Sequence, residues 1–252
     1  MWLEYIRKSV FVKCAILQLM RLHRFYLPTP ISDETFDITD RELIHQWANV
    51  FRYNVGSQVI LFDGSGIDYL CMITSLRNLG ATVSIIKKTN TRQPARSTSV
   101  WLCLGIIKKD NFEIVVQKVT EIGVTHIVPL LCERSEKKKI NFERLQKIIV
   151  EASEQSGRGD IPVLHKLVTT EELFKEKIPL EKIVLDSRGT PFDQYNQGPK
   201  NGSIAVFIGP EGGFTENEIN FFKSQNTRII SLGSQILRAE TAAIAISSLL
   251  LL

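Results

Sequence analysis

Residues Phe207 to Ile219 read "FIGPEGGFTENEI": the end of an apolar run, a proline, three glycines and a carboxylate, followed by residues that start helices. Glycine reaches backbone angles closed to other residues and lets the chain approach a flat ligand closely. Thr215 and Glu218 have the spacing of a capping box, so a helix is predicted to begin directly after the loop. A loop before a helix often cradles phosphate. This one matches neither GxGxxG nor the P-loop pattern, and Glu211 would place negative charge beside the anion.

A carboxylate in that position suits a cationic nucleoside, and S-adenosylmethionine, with its sulfonium and ammonium groups, is the common one. A tight turn with a solvated glutamate is the plainer alternative. A second loop repeats the design. After the run "RIISLG" comes "SQILRAETAA", in which Gly233 ends a strand and Leu237, Arg238, Glu240 and Thr241 occupy the entry to a final helix. Two such loops after two strands would enclose one site. The closing segment "ETAAIAISSLLLL" is apolar nearly all round, which predicts a buried helix, under a sheet or in a subunit interface.

The elements that must position these loops follow from hydrophobic periodicity. Beyond residue 99, short apolar runs ("VWLCLGII", "THIVPLL", "KIVLD", "SIAVFIG", "RIISLG") alternate with amphipathic stretches ("KDNFEIVVQKVTEIG", "NFERLQKIIVEASEQSG", "TENEINFFKSQ"). That alternation predicts an α/β domain with a parallel sheet covered on both faces. In such sheets ligands collect beyond the carboxyl ends of the strands, where "GPEGG" falls. Residues 22–89 have a different texture. Strand-like runs ("HRFYL", "QVILFD", "YLCMITSL", "ATVSIIKK") are punctuated by "DGSG" and "NLG" and interrupted by the helical "DRELIHQWANVF", which predicts a small β-barrel with a helix. The polar stretch 89–99, "TNTRQPARSTS", reads as a linker. The expected organisation is an extension over 1–19, a barrel domain over 20–89 and the α/β domain over 96–252.

Composition narrows the function classes. A net charge of +4 is far from that of a tail-driven nucleic-acid binder, so RNA contact must come from local patches. One candidate is 133–147, where Arg134, Lys137, Lys138, Lys139, Arg144 and Lys147 stand against Glu133, Glu136 and Glu143. Cys14, Cys71, Cys103 and Cys132 are far apart and no histidine pair has metal-binding spacing. Neither a disulfide framework nor a metal is expected, and the chain reads as cytoplasmic. His126, in a strand-like run, reads as a satisfied core histidine. The first nineteen residues are apolar but interrupted by Lys13, too short to span a membrane and without a cleavage site, so no membrane association is expected.

Together, "FIGPEGGFTENEI", "LGSQILRAETA", "KKDNFEIVVQKVTEIGV" and "EASEQSGR" resemble the bacterial 16S ribosomal RNA uridine-N3 methyltransferase family of the SPOUT class. The resemblance covers the chain from about Met20 to its end. It implies a PUA-like RNA-binding β-barrel followed by a SPOUT-type parallel sheet with a carboxyl-terminal trefoil knot, one of the rare exceptions to unknotted chains. It also implies a homodimer that transfers methyl from S-adenosylmethionine to one uridine of the small ribosomal subunit. By motif position the cofactor would touch Ile208, Gly209, Glu211, Gly213, Leu232, Gly233 and Leu237, largely through backbone, with Leu185 and Asp186 as a third wall.

Methyl transfer to uridine N3 requires removal of a weakly acidic proton or stabilisation of the resulting anion. Arg238 is the first candidate to stabilise it, since a guanidinium stays protonated and donates to a uracil oxygen. Glu240 either accepts the proton or holds Arg238. Glu154, Gln155, Ser156 and Arg158 are expected to complete the pocket, grip RNA or end a helix. Lys109, Arg134, Lys138 and Arg144 are expected to meet phosphate. Two positions depart from the family pattern. Gln235 stands where an arginine is usual, which bears on one RNA or dimer contact, and Leu145 where an aromatic often precedes "QKI". A non-catalytic RNA-binding factor that retains the fold is the rival reading, and a dehydrogenase is disfavoured because no dinucleotide fingerprint follows the first strand of the α/β domain.

Overall fold

The computed structural model describes residues 22–91, 98–135, 139–176, 178–179, 181–195 and 202–252. The expected extension over 1–19 lies outside the described residues, as does Lys138. The chain divides into two compact units, Met1–Thr91 and Arg92–Leu252.

In the first unit, β1 (Arg24–Tyr26), β2 (Thr35–Ile38), β3 (Gln58–Phe62), β4 (Ile67–Arg77) and β5 (Gly80–Asn90) form one sheet in the order β1-β3-β4-β5-β2. Strands β3 to β5 are an antiparallel meander, while β1 runs parallel to β3. Tyr69, Cys71 and Ile73 point to the core at the two-residue period of a strand, with Met72 exposed between them. A short helix α1 (Arg41–His45), capped by the Asp40 carboxylate accepting from the Glu42 and Leu43 amides, continues into a π turn that buries Trp47 against Phe25. Strand β2 escaped the sequence reading because "TFDI" is acidic, brief and only half buried. The linker is shorter than expected. Thr89 and Asn90 still pair in β5, and Thr98 and Ser99 already belong to β6.

The second unit is a six-stranded sheet built from β6 (Thr98–Gly105), β7 (His126–Leu130), β8 (Val163–Leu164), β9 (Glu181–Pro191), β10 (Gly202–Ile208) and β11 (Arg228–Ser231). All its pairings are parallel, in the order β11-β9-β10-β6-β7-β8. Strand β6 buries Val100, Leu102 and Leu104 on one face and Cys103 on the other. The first face is covered by α2 (Lys109–Ile122), α3 (Phe142–Ser156) and α6 (Ala239–Leu251), and the second by α4 (Thr170–Phe174) and α5 (Glu216–Ser224). Burial on both sides is why these strands read as apolar runs rather than alternations. Helix α6 is buried along the stripe Ala239, Ala242, Ala243, Ile246 and Ser247, but Leu249 is 58% exposed, so within one chain it is not enclosed all round as its sequence suggested. Among the described residues no helix is long and apolar enough to cross a membrane.

His126 and His165 meet at the amino-terminal edge of β7, Nδ1 to Nε2 at 3.0 Å, with Trp101 stacked on His126 at 4.0 Å between ring centroids. Burial first, then the facing His165, hold His126 down to about 4, and burial also lowers His165. An unfolded histidine, near 6.5, takes its proton more readily than this pair does. The stability of the neutral pair is therefore fully present above about pH 6.5 and is lost as pH falls towards 4. Urea unfolding should weaken by about 1–2 kcal/mol across that window, after allowance for partial solvent screening. A His126→Gln variant should show a correspondingly flatter profile than the wild type over the same range.

Candidate functional site: a three-loop cleft at the carboxyl edge of the sheet

Three segments converge beyond the strand ends. Strand β11 pairs with β9 as far as Ile229↔Val184 and resumes at Ile230↔Thr190, so the residues of β9 between Val184 and Thr190 bulge out of the ladder. The second segment is the loop after β10, and the third follows β11 into α6. Around them lies a cavity of about 750 Å³ lined by residues of all three.

Two close backbone approaches fix the cleft. A Cβ built on Gly105, at the end of β6, would sit 2.6 Å from the Pro210 nitrogen, so a glycine is required where the second loop crosses the strand end. Gly213 takes φ +67°, in the left-handed region, and its N–H donates to the Pro210 carbonyl at 2.8 Å, closing the turn of "GPEGG". The capping box is present, with Thr215 accepting from the Glu218 amide and Glu218 from the Thr215 amide. Glu218 is 5% exposed, and its second oxygen accepts from the Glu133 N–H at 3.0 Å, which ties the loop after β7 to the start of α5.

The predicted cofactor residues Leu185, Ile208, Gly209, Glu211, Gly213, Leu232 and Leu237 all line the cavity, as do Arg238 and Glu240. Gly233 does not reach the wall. It shapes the third loop at φ +141°, where its carbonyl accepts from the Ser231 hydroxyl at 2.9 Å. Glu211 is partly committed, since its Oε1 accepts from the Lys108 N–H at 2.9 Å and so caps α2. Glu240 accepts from Asn111 Nδ2 at 3.3 Å. Neither Lys108 nor Asn111 was singled out from sequence, because their contacts, 103 and 129 residues distant along the chain, are made only by the fold.

Charge on the walls is balanced: Lys108, Arg134, Arg188 and Arg238 face Asp186, Glu211, Glu216 and Glu240. Arg188 is engaged by Asp186 and Glu216, and its hydrogen bond is the main reason the Asp186 carboxyl is held below the usual range. Arg238, at the amino terminus of α6, is exposed, and among the described residues its guanidinium makes no hydrogen bond or ion pair. A cavity with glycine-rich backbone, apolar Leu185, Ile208, Leu232 and Leu237, and both signs of charge fits a zwitterionic nucleoside better than a polyphosphate.

Residues 94–251 match the family described as RNA methyltransferase domain, and residues 48–86 match the RNA methyltransferase PUA domain. The chain belongs to this RNA methyltransferase family. A ribosomal RNA small subunit methyltransferase E from Rickettsia conorii is 31% identical over 229 residues, spanning 89% of this chain and 93% of the relative. The protein so named from Bacillus subtilis is 31% identical over 222 residues, or 82% and 86% of the two chains. The crystal structure of a ribosomal RNA small subunit methyltransferase E from Neisseria gonorrhoeae bound to S-adenosylmethionine superposes with a TM-score of 0.81 at 28% identity, covering 91% of this chain and 96% of that one.

In this RNA methyltransferase the four described residues offered as RNA contacts, Lys109, Arg134, Arg144 and Arg158, divide. Lys109 and Arg144 are exposed and share Glu113, at 3.7 and 3.3 Å. Arg158 does not offer its charge to a ligand in the single chain. Its side chain is 7% exposed, donates to the carbonyls of Thr120 and Val124, and pairs with Asp160, so it closes the carboxyl end of α2. Arg134 points to the "GPEGG" loop. Its Nη1 donates to the Gly212 carbonyl at 2.7 Å while its stem packs 3.3 Å from where a Gly212 Cβ would lie. Arg134→Met should weaken S-adenosylmethionine binding about tenfold by calorimetry, the value of one charge-assisted hydrogen bond. A purely RNA-contacting arginine would leave that affinity unchanged.

Proposed function

We propose that the protein transfers the methyl group of S-adenosylmethionine to N3 of a specific uridine in the 16S ribosomal RNA of the small subunit. The observation that carries this reading is the convergence of three loops on one cavity that also presents the unpaired Arg238 guanidinium, in a chain of the RNA methyltransferase family. The names of the Rickettsia and Bacillus relatives support small-subunit ribosomal RNA as the substrate class, and the cofactor of the Neisseria structure supports the methyl donor, while the uridine N3 target rests on the motif resemblance.

When bound, S-adenosylmethionine supplies a methyl group on a sulfonium that N3 displaces in line, so alignment provides much of the rate. Backbone groups of Ile208, Gly209, Gly213, Leu232 and Leu237 would hold the nucleoside, with Leu185 and Glu211 completing the walls and Gly233 shaping the third loop. Arg238 donates to a uracil oxygen and stabilises negative charge as the N3 proton departs. Glu240, oriented by Asn111, receives that proton or orients Arg238. Lys109, Arg144 and Lys138 contact phosphate, giving affinity that falls with salt.

The finer architecture belongs to the same proposal: a PUA-like RNA-binding barrel over 20–89, a SPOUT domain over 96–252 whose last strands form a trefoil knot, a homodimer and a cytoplasmic location. Closure of the barrel is supported by register shifts in β4 and β5 at Leu70/Cys71 and Ile73/Ser75, which increase coiling.

The test is calorimetric titration with S-adenosylmethionine, followed by transfer of tritium-labelled methyl to small subunits that lack the modification. Binding and transfer, with the label on uridine N3, are expected. A folded protein that does not bind the cofactor rejects the enzyme reading, and binding without transfer to small subunits rejects the substrate.

A further inference from the structure

A second cavity, of about 410 Å³, opens beside the first. Its floor is apolar, formed by Ile106, Ile107, Phe112, Ile140 and Leu145. The first turn of α2 borders both cavities: Lys108 and Asn111 line the first, while Lys109, Phe112 and Glu113, on the adjoining face of the same turn, line the second.

The mouth is cationic. Lys109, 66% exposed, and Lys139, also exposed, line it beside Glu113, and Arg144, which does not line the cavity itself, reaches that carboxylate from outside at 3.3 Å. Asn141, whose Oδ1 accepts from the Arg144 N–H, adds a polar edge. An apolar floor of this size under a positive rim is the chemistry that accepts an unstacked nucleobase whose phosphate remains at the mouth. A lipid or an apolar peptide would have no use for the two lysines at so small an opening.

We infer that the second cavity is a subsite for an unpaired base of the RNA strand next to the nucleotide being methylated, with Lys109 and Lys139 on its phosphate. The strand would pass the first turn of α2, with one base in each cavity. This rests on the reading of the first cavity as an RNA methyltransferase site. It gives Lys109 and Lys139, far apart in sequence, a common task.

The test uses the full chain and a fluorescein-labelled heptauridylate, with affinity read by anisotropy and cofactor affinity read separately by calorimetry. Ile140→Trp fills the cavity, and Lys139→Glu reverses the rim charge on an exposed side chain that folding does not need. Both variants should bind the oligonucleotide about tenfold more weakly while retaining the wild-type affinity for S-adenosylmethionine, and the wild-type RNA affinity should fall with added salt. Unchanged RNA affinity in a folded Ile140→Trp protein overturns the subsite even if Lys139→Glu is weakened, because the rim alone would then hold phosphate. Failure of the wild type to bind the oligonucleotide also overturns it. Failure to bind S-adenosylmethionine is a different result, and overturns the reading of the first cavity.

Discussion

Replacing Gly105 by alanine is expected to slow methyl transfer about a hundredfold, although Gly105 carries no functional group. The added Cβ would meet the Pro210 nitrogen at 2.6 Å, Pro210 Cδ at 2.8 Å and the Gly209 carbonyl carbon at 3.0 Å. Two of these are backbone atoms, and Pro210 lies between Gly209 and Glu211, so the loop cannot yield by a side-chain rotation. It must move off the end of β6 by a large fraction of an ångström. Displacement of this order in a positioning loop costs about 10²-fold in rate. Overpacking would also lower stability by about 1–3 kcal/mol. The measurements are turnover with small subunits, cofactor affinity by calorimetry and a urea unfolding curve. A variant with wild-type turnover would show that the loop's position on β6 is not what aligns the methyl group.

The second large effect is expected from Arg238→Met. The guanidinium lines the three-loop cavity and has no partner among the described residues, so its removal should cost little in folding. Loss of one preorganised donor to a developing oxyanion lowers kcat by about 10²–10³-fold. Affinity for S-adenosylmethionine should stay within about twofold, since the proposed cofactor contacts are mainly backbone. Arg238→Lys should recover only part of the rate, because an ammonium lacks the planar fork of donors. Equal loss of cofactor affinity and turnover in Arg238→Met would instead make Arg238 a cofactor-binding residue. Glu240→Gln, compared over pH, separates the two roles left to that carboxylate: a proton acceptor loses its acidic limb in the rate profile, while an anchor for Arg238 does not.

The predictions place the main effects at positions of very different kinds, and the difference reflects how each was legible. "GPEGG" announced itself because glycine and proline constrain the backbone locally, and the capping box at Thr215 and Glu218 is a contact three residues apart. The alternating apolar runs after residue 98 announced the α/β class because a parallel sheet buried on both faces leaves that texture in any chain. Arg238 and Glu240 were legible as polar residues at the start of an otherwise apolar helix.

What the fold alone decided are the contacts that no local rule contains. Arg134 sits in a basic stretch that reads as a phosphate contact, yet its guanidinium reaches the Gly212 carbonyl 78 residues away. Arg158 reads as a possible RNA grip and is instead occupied by the carbonyls that end α2. Asn111 and Lys108 carry no motif, and they matter because β6 and α2 bring them against loops more than a hundred residues later. Gly105 looks like any glycine that ends a strand, and only the crossing of Pro210 over it makes a hydrogen the largest substituent it can bear. Sequence by itself determined the class of fold and the two glycine-bearing loops that the cleft is built from, because these follow from periodicity and backbone chemistry within a few positions. The tertiary structure decided which charges are free and which are committed, because pairing depends on distances that the chain acquires only when its strands are laid side by side.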